Sequence, residues 1–216
     1  MPATKQTIQG LYVITDPTLS PGLQLLDDVA AALKGGANIV QYRDKVSSDL
    51  DKLANAKYLQ ALCQQHQATF IINDDIELTK MIGADGVHIG KNDTDLHTAR
   101  QQLGQQAIIG VSCYNDLDRA KTMRAQGADY VAFGRFFPSK TKPDAPQAEI
   151  DTLIQAKQQL DCPIVAIGGI TADNAETLLE AGADALAVIQ GVFVQPDIQF
   201  ATQTLVHKIQ AHQKEL

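Results

Sequence analysis

Eight short apolar runs, separated by amphipathic or alanine-rich stretches, set the strongest limit on what this chain can fold into. They occupy residues 11–14, 39–41, 69–72, 86–89, 107–111, 130–133, 164–167 and 185–189. Most are rich in Val and Ile, which suit a pleated, buried surface. Runs of this kind alternating with helical stretches predict βα units around a parallel sheet. A second feature sharpens the expectation. Gly36-Ala37-Asn38, Gly83-Ala84-Asp85, Gly127-Ala128-Asp129 and Gly182-Ala183-Asp184 precede the second, fourth, sixth and eighth runs. Glycine just past a helix supplies a left-handed cap from which the chain turns into the next strand. A mark at every second run predicts a repeated two-unit module. Eight such units in 216 residues predict a single (β/α)8 barrel over residues 1–216, in preference to a doubly wound open sheet.

Composition narrows the function. Hydrophobic residues make up 44% of the chain and charged residues 20%, enough for a full core and too apolar for disorder. A net charge of −7 argues against general nucleic-acid binding, which relies on basic surface. It leaves small anionic ligands open, because a site can gather cations against the global sign. Cys63, Cys113 and Cys162 are odd in number and widely spaced, so neither a disulfide framework nor a CxxC metal site is expected. A reducing cytoplasm fits best. Residues 1–9 lack a signal-peptide core, and no apolar run has transmembrane length.

In a barrel the chemistry gathers at the C-terminal strand ends. Read there, the runs are followed in order by Thr15-Asp16, Gln41-Tyr42-Arg43-Asp44-Lys45, Asn73-Asp74-Asp75, a stretch from His88 to Asp93, Ser112, Pro138-Ser139-Lys140-Thr141-Lys142, Gly168-Gly169 and Ile189-Gln190-Gly191. Arg43, Lys45 and Lys142 suit phosphate oxygens. Asp74 and Asp93, from adjacent strand ends, suit a hard divalent ion such as Mg²⁺, which takes one or two carboxylates together with substrate phosphate oxygens. The glycines after the seventh and eighth runs permit an anion to approach backbone N–H groups. Competing structural readings exist. Asp74, Asp93 and Asp16 could be helix N-caps. Gly168-Gly169 could be a tight turn. His88 reads as a core histidine outside the site, and Cys113 as structural.

The ordered set QYRDK at 41–45, IND at 72–74, GADGVHIG at 83–90 with Asp93 following, IGVS at 109–112, FPSKTK at 137–142, AIGGI at 166–170 and AVI at 187–189 resembles the thiamine-phosphate synthase family in order and spacing. The likeness runs from about Leu11 to Ile189. It implies a Mg²⁺-dependent transferase that joins a pyrimidine diphosphate to a phosphorylated thiazole with release of diphosphate. By that likeness Gln41, Arg43, Lys45, Asn73, Ser112 and Lys142 would meet the pyrimidine diphosphate, with Tyr42 and Asp44 also in the substrate-binding set. Arg43, Lys45, Ser112 and Lys142 would carry the catalysis, and Asp74 and Asp93 would hold Mg²⁺. Ser139, Lys140, Thr141, Gly169, Ile189 and Gln190 would line the thiazole phosphate site. The implied partners are these two small molecules, with no nucleic acid or membrane, and a homodimer is left open. Departures from the family pattern are Lys91 for Gln, Arg135 for Pro, Cys113-Tyr114 for a small residue and His, Ser139 for Thr, Ala148 near a usual glycine and Gln190 for Ser. The alternatives are a thiazole tautomerase-like barrel, disfavoured by the paired carboxylates and by Tyr114, and a non-catalytic binder of phosphorylated ligands.

Overall fold

The four Gly-Ala-Asx marks sit at the bottom of a closed barrel and lock it together in pairs of strands. In the computed structural model, which describes residues 7–91, 95–138 and 146–215, the strands are β1 (Gly10–Ile14), β2 (Ile39–Tyr42), β3 (Thr69–Asn73), β4 (Gly86–Ile89), β5 (Ile108–Tyr114), β6 (Tyr130–Phe133), β7 (Ile164–Ile167) and β8 (Ala185–Val188). They pair in parallel in sequence order, and β8 returns to β1. The open-sheet alternative is thereby set aside. Each strand is followed by at least one helix, the longest being α2 (Asp49–Gln65) and α9 (Ile198–Glu215). No helix among the described residues is long and apolar enough to cross a membrane.

Gly36, Gly83, Gly127 and Gly182 all have positive φ, between 67° and 102°, the conformation a side chain resists and glycine accepts. The polar third residue of each mark has its own task. Asn38 Oδ1 accepts the Leu11 N–H of β1 at 3.0 Å. Asp85, Asp129 and Asp184 accept the N–H groups of Phe70, Ile109 and Ile164 at 2.7, 2.8 and 2.9 Å. In every case the residue entering an even strand holds the start of the odd strand before it. The two-unit module is thus a physical clip, repeated four times around the barrel.

Strand alternation then divides the side chains between two cores. One set, including Leu11, Val13, Val40, Phe70, Val87, Ile109 and Val131, faces the helices and forms the larger buried cluster. The other set, including Tyr12, Ile14, Ile39, Ile71, Ile108, Tyr130 and Val165, fills the barrel interior. Inside, large and small residues are matched. A Cβ on Gly110 would overlap the ring of Tyr130, so the glycine gives that phenol its place.

Four helix starts carry side-chain caps. Ser48, Asp75, Asp95 and Asp116 accept the N–H groups of Asp51, Leu78, Thr98 and Arg119. The last helix, α9, packs on α1 (Gln24–Lys34), α7 (Ala175–Glu180) and β1, with Thr202, Leu205 and Ile209 buried.

The clip makes a stability prediction. Asp85→Ala leaves the Phe70 N–H without its acceptor and should cost about 1–3 kcal/mol in denaturant unfolding. Asp85→Asn retains an amide oxygen, as Asn38 does naturally, and should lose less than half of that. Equal stability of Asp85→Ala and the wild type would remove the clip from the account.

Candidate active site

At the C-terminal mouth of the barrel the strand ends surround a cavity of about 570 Å³. Its floor is the inner face of the strands. From β2 come Gln41 and, just beyond, Arg43 and Lys45. From β3 come Asn73 and Asp74, and from β5 comes Ser112. The opposite wall holds Gly169, Ile189 and Gln190, and all nine of these sequence-predicted residues line the cavity.

Tyr42 and Asp44 do not, and both expectations are corrected. Alternation along β2 sends residue 42 outward where 41 goes inward. Tyr42 is buried in the core between barrel and helices, and its hydroxyl donates to Asp44 Oδ2 at 3.1 Å. Asp44 also accepts the N–H groups of Val46 and Ser47, both at 3.0 Å. Partial burial pulls its carboxyl pKa up, but these hydrogen bonds prevail and hold it below the ordinary carboxylate value. It staples the loop that carries Lys45. Asp93, Ser139, Lys140, Thr141 and Lys142 lie outside the described residues.

The structure also adds residues. Tyr12, His88, Tyr130, Lys91 and Arg135 line the cavity. Strand parity would have found the first three: positions 12, 88 and 130 fall on the inward series of their strands. His88 is therefore a cavity residue rather than a core histidine. Cys113, by contrast, is fully buried. Burial pushes its thiol pKa up to about 12, which fits a structural role.

The electrostatics of the cavity oppose those of the whole chain. Its described lining contains four cations, Arg43, Lys45, Lys91 and Arg135, against one carboxylate, Asp74, in a protein of net charge −7. Lys45 Nζ stands 2.9 Å from Asp74 Oδ2. Arg43 is held in place by Thr15, whose Oγ1 accepts the Arg43 N–H at 2.9 Å.

Asp74 does not cap the helix that follows it. That task belongs to Asp75, whose Oδ1 accepts the Leu78 N–H at 2.8 Å at the start of α3 (Ile76–Ile82). Asp74 instead adopts φ +63°, a left-handed conformation that only Asn, Asp and Gly adopt with any ease. Its carboxylate faces the cavity beside Lys45. Asp16, the other candidate cap, begins no helix; it closes a local turn by accepting the Thr18 N–H and hydroxyl at 2.9 and 2.6 Å, and α1 starts only at Gln24. Among the described residues no cluster of three or more His, Cys, Asp or Glu side chains could hold a metal alone. A single hard carboxylate at the wall fits an ion whose remaining ligands are water and phosphate oxygens.

On the far side Gly168 and Gly169 have φ +104° and +65°. A Cβ on Gly168 would strike Arg135, and one on Gly169 would strike Pro138 and Phe137. Packing against the segment after β6 therefore demands glycine here, and the resulting turn leaves a small-residue wall beside Gln190.

A cationic strand-end pocket on a (β/α)8 barrel suits anionic ligands, and comparison with known proteins narrows the field. Residues 11–192 match the family model described as thiamine monophosphate synthase. The chain belongs to the thiamine monophosphate synthase family. It is 52% identical over 195 residues to a thiamine-phosphate synthase of Nitrosococcus oceani, covering 90% of each chain. It is 50% identical over 190 residues to one of Alcanivorax borkumensis, covering 88% of each. Among solved structures, the thiamine phosphate pyrophosphorylase of Pyrococcus furiosus superimposes with a TM-score of 0.87 at 33% identity, over 94% of this chain and 96% of that one. Membership of this transferase family accounts for a barrel whose mouth gathers cations.

The division of labour at the start of α3 is testable. Asp75→Ala should lower unfolding stability by about 1 kcal/mol through loss of the cap. Asp74→Asn, a residue tolerant of the left-handed conformation, should stay within about 0.5 kcal/mol of wild type. The reverse order in thermal or denaturant melts would mean that Asp74 is structural.

Proposed function

We propose that this chain is a thiamine-phosphate synthase. It transfers the 4-amino-2-methylpyrimidin-5-ylmethyl group from its diphosphate to the ring nitrogen of 4-methyl-5-(2-phosphooxyethyl)thiazole, or of its 2-carboxy form, in thiamine biosynthesis in the cytoplasm. Family membership carries the reaction class. The observation that carries the assignment of the site is the charge inversion at the mouth: four described cations against one carboxylate, in a cavity of about 570 Å³.

The chemistry asks for little beyond charge and alignment. The C–O bond to diphosphate breaks with its electron pair leaving on oxygen, and the amino-substituted ring delocalises the positive charge left on the CH₂. The thiazole nitrogen supplies the lone pair for the new C–N bond. The C–N bond forms without proton transfer, so no general base is required; the 2-carboxy form also loses CO₂ and takes up a proton at C2 from solvent. Arg43, Lys45 and Lys142 neutralise the leaving diphosphate. Gln41, Asn73 and Ser112 orient the pyrimidine diphosphate. Ser139, Lys140, Thr141, Gly169, Ile189 and Gln190 receive the thiazole phosphate. Mg²⁺ held by Asp74 and Asp93 would supply Lewis-acid charge on the diphosphate side.

The direct test mixes both substrates with Mg²⁺ and follows diphosphate release and thiamine phosphate formation. Binding of both ligands without release would identify a non-catalytic binder and overturn the proposal. Asp74→Asn and Asp93→Asn should each lose most activity at low Mg²⁺ and regain part of it as Mg²⁺ is raised. Wild-type activity in both variants at every concentration would remove the metal assignment.

Lys142 is expected to act mainly as charge develops. Lys142→Ala should lower kcat by about 10²–10³, the scale of losing one preorganised donor in the transition state, with a smaller change in KM. An unchanged kcat would place Lys142 outside the leaving-group shell.

A further inference from the structure

Beneath the cavity a string of five polar side chains crosses the inside of the barrel. Gln41 Nε2 donates to Tyr12 Oη at 2.7 Å. Tyr12 Oη and Tyr130 Oη lie 2.9 Å apart. Tyr130 Oη meets His88 Nδ1 at 2.9 Å, and His88 Nε2 meets Ser112 Oγ at 2.9 Å. The string joins β2, β1, β6, β4 and β5, and both its ends are cavity residues.

Proton counting gives this string a direction. Each phenol has one proton to donate. The Tyr12 oxygen receives the Gln41 amide N–H, so its own proton goes on to Tyr130. Tyr130, having received that proton, gives its own to His88 Nδ1. An imidazole that accepts at Nδ1 is neutral and carries its proton on Nε2, from which it donates to Ser112 Oγ. The Ser112 proton is then left for the cavity. At the other end the Gln41 amide nitrogen is engaged by Tyr12, which leaves its carbonyl oxygen as the group available to a ligand in the cavity it lines.

We infer that Tyr12, Tyr130 and His88 are positioning residues, whose one-way hydrogen-bond chain presents Gln41 Oε1 as an acceptor and Ser112 Oγ–H as a donor to the ligand. The reverse direction would spend the Ser112 proton on His88 and offer only lone pairs to an anion, in a cavity whose described lining is dominated by cations. The forward direction matches an anion at Ser112 and an exocyclic amino group at Gln41. That match rests on the function proposed above; the direction of the chain in the free protein rests on the orientation of the Gln41 amide toward Tyr12 and on the one proton each phenol carries.

The surroundings hold the chain in its protonated form. Tyr12 and Tyr130 are 1% and 0% exposed, and burial raises both phenol pKa values well above the ordinary one. Neither becomes a tyrosinate that could reverse the string. The rings are braced as well. Tyr130 stacks on His88 at 5.6 Å between centroids and meets Tyr12 edge-on at 6.2 Å. Gly110 leaves the space that the Tyr130 phenol occupies.

The test reads the imidazole directly. The full chain is labelled with ¹⁵N-histidine, and the His88 signals are assigned by their loss in His88→Gln. Long-range ¹⁵N–¹H spectra are recorded without substrate at about pH 8, above the ordinary imidazole pKa of about 6.5. A single Nε2–H tautomer is expected in the wild type, with a shift toward a tautomer mixture in Tyr130→Phe. An Nδ1–H ring in the wild type overturns the direction. In kinetics Tyr130→Phe should lose about tenfold in kcat/KM for the pyrimidine diphosphate, the worth of one ordinary hydrogen bond, at unchanged KM for the thiazole phosphate. Tyr12→Phe should act in the same sense from the Gln41 end, and it stands in if Tyr130→Phe does not fold. A folded variant with wild-type ring signals and wild-type kinetics overturns the positioning role. The ring signals need no turnover, so failure of the proposed reaction would leave them readable.

Discussion

The interaction on which the rest of the structure depends is the side-chain clip at the bottom of the barrel. Parallel strands have no hairpin to fix their register, and a slip of one residue would turn each strand inside out. Asn38, Asp85, Asp129 and Asp184 prevent this by binding the first free N–H groups of the preceding strand. Two of the carboxylates are themselves secured, Asp129 by Arg100 and Asp184 by Lys157, each at 2.6 Å. With register set at the bottom, parity decides at the top which residue of each strand end enters the cavity. The clips hold no ligand, yet they determine that Gln41 faces inward and Tyr42 outward.

From that parity follows the coupling between core and site. The barrel interior is not an apolar plug with a polar lid. Its middle layer includes two tyrosines whose rings pack against Ile and Ala side chains while their hydroxyls join the polar string reaching the cavity. Buried hydroxyls need partners, since each unpaired one costs about 1–3 kcal/mol. The partners here are residues of the mouth. Stability of the interior and orientation of the site are thus served by the same hydrogen bonds, and the glycine at 110 is part of both because it makes room for one ring.

Much of this was legible in the sequence, and what was missed has a physical cause. The eight apolar runs fall within two residues of the strands at their starts, because continuous Val/Ile runs bounded by caps have few other uses. The end of β5 was less visible. The strand runs on to Tyr114 through a bulge at Ser112 and Tyr114, with Tyr114 at φ +58°, and a bulge leaves no apolar trace. The glycines of the Gly-Ala-Asx marks were read, but their Asx residues were not. A polar residue at a strand start looks like solvent exposure until the backbone N–H across the gap is known. Tyr42 was misplaced because motif spacing carried more weight than period-two alternation, and His88 because a histidine within a strand was read as a core residue. Counting outward from Gln41 along β2 would have moved Tyr42.

The charge pattern of the mouth connects these structural constraints to the reaction. Cations crowded around one cavity repel each other, and an acidic chain offers many carboxylates that could quench them. Among the described lining residues only Asp74 does so, and it does so while held in a left-handed backbone conformation that costs about 1–2 kcal/mol for an L-residue. A helix cap at that position would have been cheaper, but the cap is delegated to Asp75. The strain therefore has a use: it turns a carboxylate away from the helix end and toward Lys45 and the cavity. Cationic side chains that outnumber carboxylates four to one among the described lining residues are costly in the empty protein and become favourable when a multiply charged anion enters. A site built this way stabilises charge most strongly when the ligand carries most of it, which for a departing diphosphate is after the bond has begun to break.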